Sequence, residues 1–267
     1  MNFFSKLWNP SGGLLYHLRA RRYRTVLWRE WIQSLEDWLC NEWNPIEKKI
    51  VIIGASAGHC LTETFLSRFD TIIGNDIDPL SFYFFKKNFP FLNSNPSKLI
   101  WDSTDYISPQ KQIFSENGLI SLKQKYPGHA ILFSNVLGQL CLLDPVASRR
   151  MNFVLWKRSF DRIFMEQSIA SYHDRFSAEE IEPSERILEW RPTQRVQTKD
   201  ILKYYEENIF GSKKVELVDH ETDWILEKTP RQYRIWEITP NHHHLIELVG
   251  RGPCDDKNLM NEPHEGF

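Results

Sequence analysis

The sequence predicts an α/β fold: a doubly wound, mainly parallel sheet of the seven-stranded type that ends in an antiparallel hairpin, with an N-terminal helical extension before it. Three observations carry this. Apolar runs of strand length alternate with helical patterns from residue 49 to residue 210, which implies parallel strands joined by helices that cover both faces. Residues 50–80, IVIIGASAGHCLTETFLSRFDTIIGNDIDPL, pass from a strand through a glycine-bounded turn and a helix into a second strand that stops at an acid. The last two strands flank Thr239, Pro240 and Asn241, which read as the turn of a hairpin.

Taken in order, residues 14–42 read as helix, because Leu27, Trp31, Leu35, Trp38 and Leu39 recur at helical spacing before Asn44 and Pro45 break the pattern. Residues 1–46 form a helical extension that packs its tryptophans on the following domain or covers its ligand cleft. The main domain is 47–250, and 251–267 is a polar tail. Strands are expected at 49–53, 71–75, 99–101 (closed by Asp102), 130–134, 168–173, 214–219, 232–238 and 243–249. Helices are expected at 58–68, 81–88, 148–165 and 198–208, the last with Thr198 as its cap. Residues 176–197, with Pro183 and Pro192, read as an insertion loop with a short helix.

Composition bounds the function. The chain has 267 residues, 41% hydrophobic and 25% charged, with net charge −2: a packed core, and no global pull toward nucleic acid or membrane. Charge is uneven, since residues 1–35 hold Lys6, Arg19, Arg21, Arg22, Arg24 and Arg29 against the single acid Glu30. This basic N-terminal helix is either a solvated face or a patch for an anionic partner. Cys40, Cys60, Cys141 and Cys254 lack paired spacing, which points to reduced thiols and a cytoplasmic protein. No apolar run approaches a membrane span, and MNFFSKLWNPSGG lacks the apolar core and cleavage site of a signal peptide.

The chemistry concentrates in the turn and the strand ends. Gly54 and Gly58 bracket a tight bend, and Asp76 lies 22 residues beyond Gly54, where a ribose diol would be gripped. Over roughly residues 48–250 the sequence resembles the class I S-adenosylmethionine-dependent methyltransferases. IVIIGASAG resembles their first motif, whose turn, here Gly54, Ala55, Ser56 and Gly58, wraps the methionine end of the cofactor. Asp76 in GNDIDP matches the acid that binds the ribose hydroxyls, with Ile77 against adenine. Asp102 in LIWDSTD, followed by Ser103, matches the residue that bonds the adenine amino group. AILFSNVLGQL resembles the motif of the fourth strand, with Ser134 and Asn135 lining the cleft near the methyl group. The resemblance implies a Rossmann-like fold, S-adenosylmethionine as cofactor and methyl transfer to an acceptor.

The sequence departs from that pattern at three places. Ile52 stands where the family usually has an acid, Ser56 where it has a glycine, and His129 or Ala130 where an acid often opens the fourth strand. These departures admit a second reading, a cofactor-binding or assembly module without turnover. For an acceptor that must lose a proton, Tyr172 and His173 are the candidate catalytic residues, with Asp174 beside them. The Asn-Pro-Pro-Tyr motif of many amino-methylating enzymes is replaced by SNVLGQ, which favours a small molecule or protein acceptor slightly over RNA.

Three further readings arise. GASAG fits the G-x-S-x-G elbow of the α/β-hydrolases, with Ser56 as nucleophile. GASAG and NVLG faintly resemble the short-chain dehydrogenases, but no Tyr-x-x-x-Lys follows residue 138, and Tyr83 and Lys87 precede it. His242 and His244 share a strand face, which invites a metal, yet no third ligand stands at a fixed spacing; no metal is expected, and these histidines read as surface residues.

Overall fold

The computed structural model describes residues 13–108, 114–140, 147–179, 189–192, 196–209 and 217–252. Two helices open it, α1 (Gly13–Tyr23) and α2 (Arg29–Asp37), the latter continuing into a π-helical turn, Trp38–Trp43. There follow β1 (Lys49–Ile53), α3 (Glu63–Ser67), β2 (Thr71–Asn75), α4 (Ser81–Asn88), the single turn α5 (Phe91–Ser94) and β3 (Leu99–Asp102). The centre is built from α6 (Asn117–Lys125), β4 (Ala130–Ser134), α7 (Ala147–Ile163) and β5 (Ile169–Glu179). The last part holds β6 (Glu189–Trp190), α8 (Thr198–Ile209), β7 (Leu217–Asp219), β8 (Arg231–Thr239) and β9 (His242–Arg251).

Among the described residues the strands form one nine-stranded sheet in the order β3-β2-β1-β4-β5-β9-β8-β6, with β7 pairing the end of β5. The pairs from β3 to β5 are parallel, whereas β9 runs antiparallel between β5 and β8. Strand order reverses beside β1, whose neighbours are β2 and β4, so a crevice opens at their carboxyl ends.

Alternation along the central strands feeds two cores. Ile50, Ile52, Ala130 and Leu132 face one side, where α1, α2, α3 and α4 pack; Val51, Ile53, Ile131 and Phe133 face the other, against α6 and α7. The first core is sealed by tryptophans of the N-terminal segment. Trp28, Trp31, Trp38 and Trp43 are all buried, Trp31 stacks on Trp236 and Trp28 meets Trp236 edge-on. Burying one such ring stabilises the fold by several kcal/mol, of order 3–5 on truncation to alanine. A third cluster, with Phe176, Tyr233, Ile235 and Leu245, lies under α8.

The structure corrects several expectations. The helix expected at 14–42 is two, because the chain turns at 24–28, where Trp28 N–H returns to Tyr23 O and Arg29 reaches back to Thr25 O. The helix expected from 58 starts at Glu63: Gly58 holds φ 65, and the Thr62 side chain accepts from Phe65 N–H as the true cap. Among the described residues the sheet has nine strands rather than seven: the short β6 is an addition, and of the strand expected at 214–219 residues 217–219 are described, as β7. β5 runs on to Glu179, so residues 176–179 are strand; Glu189–Trp190 is strand too, and residues 180–188 and 193–195 of the expected insertion lie outside the described residues. Thr198 opens α8, but its hydroxyl is engaged by Arg175 and Asp223 rather than by a helix N–H. Cys141, Cys254, Lys6 and residues 253–267 of the tail also lie outside the described residues; Cys40 and Cys60 are free thiols. No helix among the described residues is long and apolar enough to cross a membrane.

Candidate cofactor cleft

The turn after β1 is held in a shape that few sequences allow. Gly54, Ser56 and Gly58 have φ of 72, 46 and 65, so the backbone enters the left-handed region at alternate positions. The N–H groups of Gly54 and Ala55 both donate to Asn75 O, at 2.9 and 3.0 Å, which draws the turn toward the end of β2. A Cβ at Gly54 would lie 2.1 Å from Val136 Cγ1 and 3.0 Å from Ser134 O, so the loop after β4 closes directly on this glycine.

Asp76 ends β2 and clamps this turn. Its Oδ2 accepts Ser56 N–H at 2.7 Å and its Oδ1 accepts Asp78 N–H at 2.8 Å. Burial raises the Asp76 pKa above its ordinary value, while those two N–H groups act the other way. Each oxygen keeps a second lone pair, the capacity a vicinal diol needs. Ile77, next in the chain, leaves 43% of its surface exposed, a bare apolar platform beside the carboxylate. These residues fit the ribose and one face of the base of a nucleoside cofactor.

Asp102 does not fit the role expected of it. Its Oδ2 accepts from the hydroxyls of Tyr106 and Tyr126 and from Lys125 Nζ, and its Oδ1 accepts from Thr104 N–H and Oγ1. Burial alone would raise its pKa, but these donors outweigh it and hold the carboxyl well below the usual carboxylate range. The carboxylate braces β3 against α6 and has no lone pair left for an adenine amino group. Ser103 beside it is exposed at the strand end.

At the end of β4, Ser134 Oγ lies 2.5 Å from Tyr172 Oη, and the Tyr172 ring meets Trp31 edge-on. Both groups are buried, and burial drives the Tyr172 pKa well up. They brace β4 against β5 rather than reach into the cleft. Asn135 follows with φ 53; its N–H donates to Tyr172 O and its Oδ1 accepts Asp174 N–H.

His173 is the clearest correction. Its side chain is 0% exposed on the opposite face of the sheet, Nδ1 lies 2.8 Å from Ser171 Oγ and Nε2 lies 3.1 Å from Glu247 Oε1. Glu247 also takes Arg231 NH1. Burial lowers the His173 pKa against the opposing pull of Glu247, so the neutral ring donates from Nε2 and accepts from Ser171. No substrate reaches it there.

The sequence leaves the N-terminal extension either packed on the domain or covering its cleft, and α1 is pinned at the cleft's edge. His17 Nδ1 lies 3.1 Å from His59 Nε2, and His17 Nε2 lies 3.2 Å from Asp78 Oδ2. Arg24 donates to His59 O and Leu61 O, which turns one cation of the basic segment inward. Helical spacing from His17 to Arg24 was the available signal; their partners, 35 or more residues away, were not readable. Burial lowers the His59 pKa to about 3, with His17 and Arg24 acting in the same direction.

The remaining readings fare as follows. Ser56 is held through its backbone N–H, and no histidine among the described residues hydrogen-bonds its hydroxyl, so the hydrolase elbow lacks its base. Tyr83 and Lys87 sit on the outer side of α4, both exposed. No group of three or more histidine, cysteine, aspartate or glutamate residues among the described ones is arranged to hold a metal. Of the histidines of β9, expected at the surface, His243 is fully buried, whereas His242 and His244 are half-buried and His244 bonds the buried Asp174. The bulge at Asp174–Phe176 turns Asp174 toward that strand.

No protein-family model matches the chain, and no curated protein matches it. Among solved structures it is similar to the S-adenosylhomocysteine-bound magnesium protoporphyrin IX methyltransferase of Synechocystis PCC 6803, at 10% identity and TM-score 0.42, with 93% of each chain covered. The DhpI complex with SAH aligns at 11% identity and TM-score 0.39, over 94% of this chain and 98% of that one. The methyltransferase domain of a bacterial CtHen1 aligns at 12% identity and TM-score 0.39, over 84% of this chain and 98% of that one. What classifies the molecule is its own strand order: five parallel strands ordered β3-β2-β1-β4-β5, then β9 antiparallel between β5 and β8, give the chain a Rossmann-like, class I methyltransferase fold.

Proposed function

We propose that this chain transfers a methyl group from S-adenosylmethionine to an acceptor. The observation that carries the reading is the clamp of Asp76 on the Gly54–Gly58 turn, at the point where the strand order reverses. A ligand crevice lies at that point in open α/β sheets, and its wall here offers a diol-sized carboxylate and an apolar platform, Ile77. The glycine turn carries no three-glycine phosphate cradle, which suits a nucleoside cofactor without a pyrophosphate.

When bound, the cofactor supplies an electrophilic methyl on a sulfonium. The protein's share is positional. Asp76 and Ile77 hold the nucleoside, and the backbone of Gly54, Ala55, Ser56 and Gly58 accommodates the amino-acid end. The backbone of Ser134 and Asn135, closing on Gly54, shapes the floor beside the methyl, and the tryptophan-lined N-terminal segment helps exclude water. With Ile52 facing the first core, the cofactor's amino group finds its partners on the turn's backbone.

The test is calorimetric titration of S-adenosylmethionine into the protein and into Asp76→Ala. Binding by the parent and loss of roughly tenfold or more in the variant supports the reading; a parent that does not bind removes it. A labelled-methyl assay on cell extract, fractionated into protein, RNA and metabolites, then identifies the acceptor class, and a parent that binds but labels nothing favours a cofactor-binding module without turnover.

A further inference from the structure

The middle of β5, at its bulge, carries an acid–base cluster that cofactor binding does not use. Asp174 is buried, and its Oδ1 lies 2.5 Å from His244 Nδ1. His244 Nε2 lies in turn 2.5 Å from His242 Nε2, and both imidazoles are partly open to solvent. The cluster adjoins the cleft through one loop. Val136 packs on Gly54, and Asn135 beside it accepts Asp174 N–H at 3.1 Å. Asn135 holds a left-handed backbone, φ 53, which a non-glycine residue keeps only where its surroundings fix it.

Among the described residues, the acid that His244 meets is Asp174. Asp174 and Ser177 come from β5, His220 follows β7 with its ring centroid 6.4 Å away, Trp236 on β8 lies at 6.4 Å, and His242 shares its strand. The buried Trp236 Nε1–H has no acceptor among the described residues. Burial pushes the Asp174 carboxyl up, but His244, by charge and hydrogen bond, and His220 outweigh it and hold the carboxyl below its ordinary value. An ionised Asp174 fixes the proton of His244 on Nδ1 and leaves Nε2 to exchange protons with His242.

We propose that His242 and His244, oriented by Asp174, accept the proton released in methyl transfer, and that the acceptor presents a hydroxyl. The inference rests on the methyl-transfer reading above. The hydroxyl oxygen bonds to the methyl carbon as the carbon–sulfur bond breaks, its electron pair staying on sulfur. The O–H proton passes to His242 and on to His244, and Asp174 balances the imidazolium charge. His242 is the catalytic residue of the three, His244 relays, and Asp174 is a positioning residue acting through His244. A carboxylate or thioether acceptor has no proton to release and gains nothing from this arrangement.

The full chain is tested in two arms. In the first, the histidines are labelled with nitrogen-15 and their tautomers are read by NMR. His244 is expected to carry its proton on Nδ1 in the parent and to lose that preference in Asp174→Asn. In the second, S-[methyl-14C]adenosylmethionine is supplied with catechol and p-nitrophenol as hydroxyl probes, and with benzoate and ethyl methyl sulfide as controls. Methylation of the hydroxyl probes alone is expected. His242→Ala and His244→Ala are expected to lower kcat roughly 100-fold or more, with cofactor affinity unchanged and imidazole restoring part of the His244→Ala loss. Three results overturn the proposal: hydroxyl probes left unmethylated by a protein that binds the cofactor, a His244→Ala variant with the parent's kcat, or a His244 tautomer unchanged in Asp174→Asn. A parent that does not bind the cofactor at all strikes the methyl-transfer reading first.

Discussion

Asp76 Oδ2 and Ser56 N–H meet at 2.7 Å, so a carboxylate ending one strand fixes the left-handed residue of the turn that follows its neighbour. Removing that acceptor leaves a buried N–H without a partner, which costs about 1–3 kcal/mol. Asp76→Asn keeps an acceptor oxygen and is expected to stay within about 1 kcal/mol of the parent in urea unfolding, whereas Asp76→Ala falls below it by more. If both variants unfold with the same midpoint, the bond does not stabilise the turn.

Gly54→Ala meets two separate penalties. The positive φ costs about 1–2 kcal/mol for any L side chain, and the new Cβ collides with Val136 Cγ1 for a further 1–3 kcal/mol. In a double-mutant cycle, Val136→Ala is expected to recover the second part and leave the first. Additive losses would show that Val136 simply moves aside.

Glu247 sets an acid limit on the fold. Burial acts to raise its pKa, but Arg231 and His173 outweigh it and hold it at about 2 against an ordinary 4.5. The folded-state value is depressed, so its contribution is complete above pH 4.5 and is lost as pH falls toward 2. The difference corresponds to roughly 3 kcal/mol. Glu247→Gln is expected to flatten the stability profile over that window when unfolding midpoints are followed against pH.

The His17–His59 contact makes the seat of α1 acid-sensitive. His59 is neutral in the fold, at about 3 against an ordinary 6.5, so its share of stability is complete above pH 6.5 and declines as pH drops toward 3. Amide exchange of residues 13–23, corrected for intrinsic rates, is expected to quicken over that range before the central strands respond. Uniform quickening across the chain would mean that α1 has no separate opening.

Much of the fold was legible because each central strand obeys one local rule. IVII at 50–53 and AILF at 130–133 are apolar throughout since both faces are covered, and GASAG and GNDIDP mark strand ends by residue types that the backbone there demands. Asp76 was legible for the same reason. Asp102 was legible as a strand-end acid, but its use was not, because Tyr106, Lys125 and Tyr126 reach it only after α6 folds back. For a similar reason the burial of His173 and the bond of His244 to Asp174 were not legible. Which face each presents depends on the β5–β9 register and on the bulge at Asp174–Phe176, pairings made across some 70 residues of chain.

The position of β9 between β5 and β8 also governs when the tryptophans can be buried. Trp28 Nε1 donates to Ile238 O and Trp43 Nε1 to Arg251 O, so the early indoles dock on the two latest strands. On a growing chain these rings emerge long before their partners exist. They stay wetted, or shielded by a chaperone, until about 200 further residues have been made. Their fluorescence therefore reports the closing step of folding rather than its start.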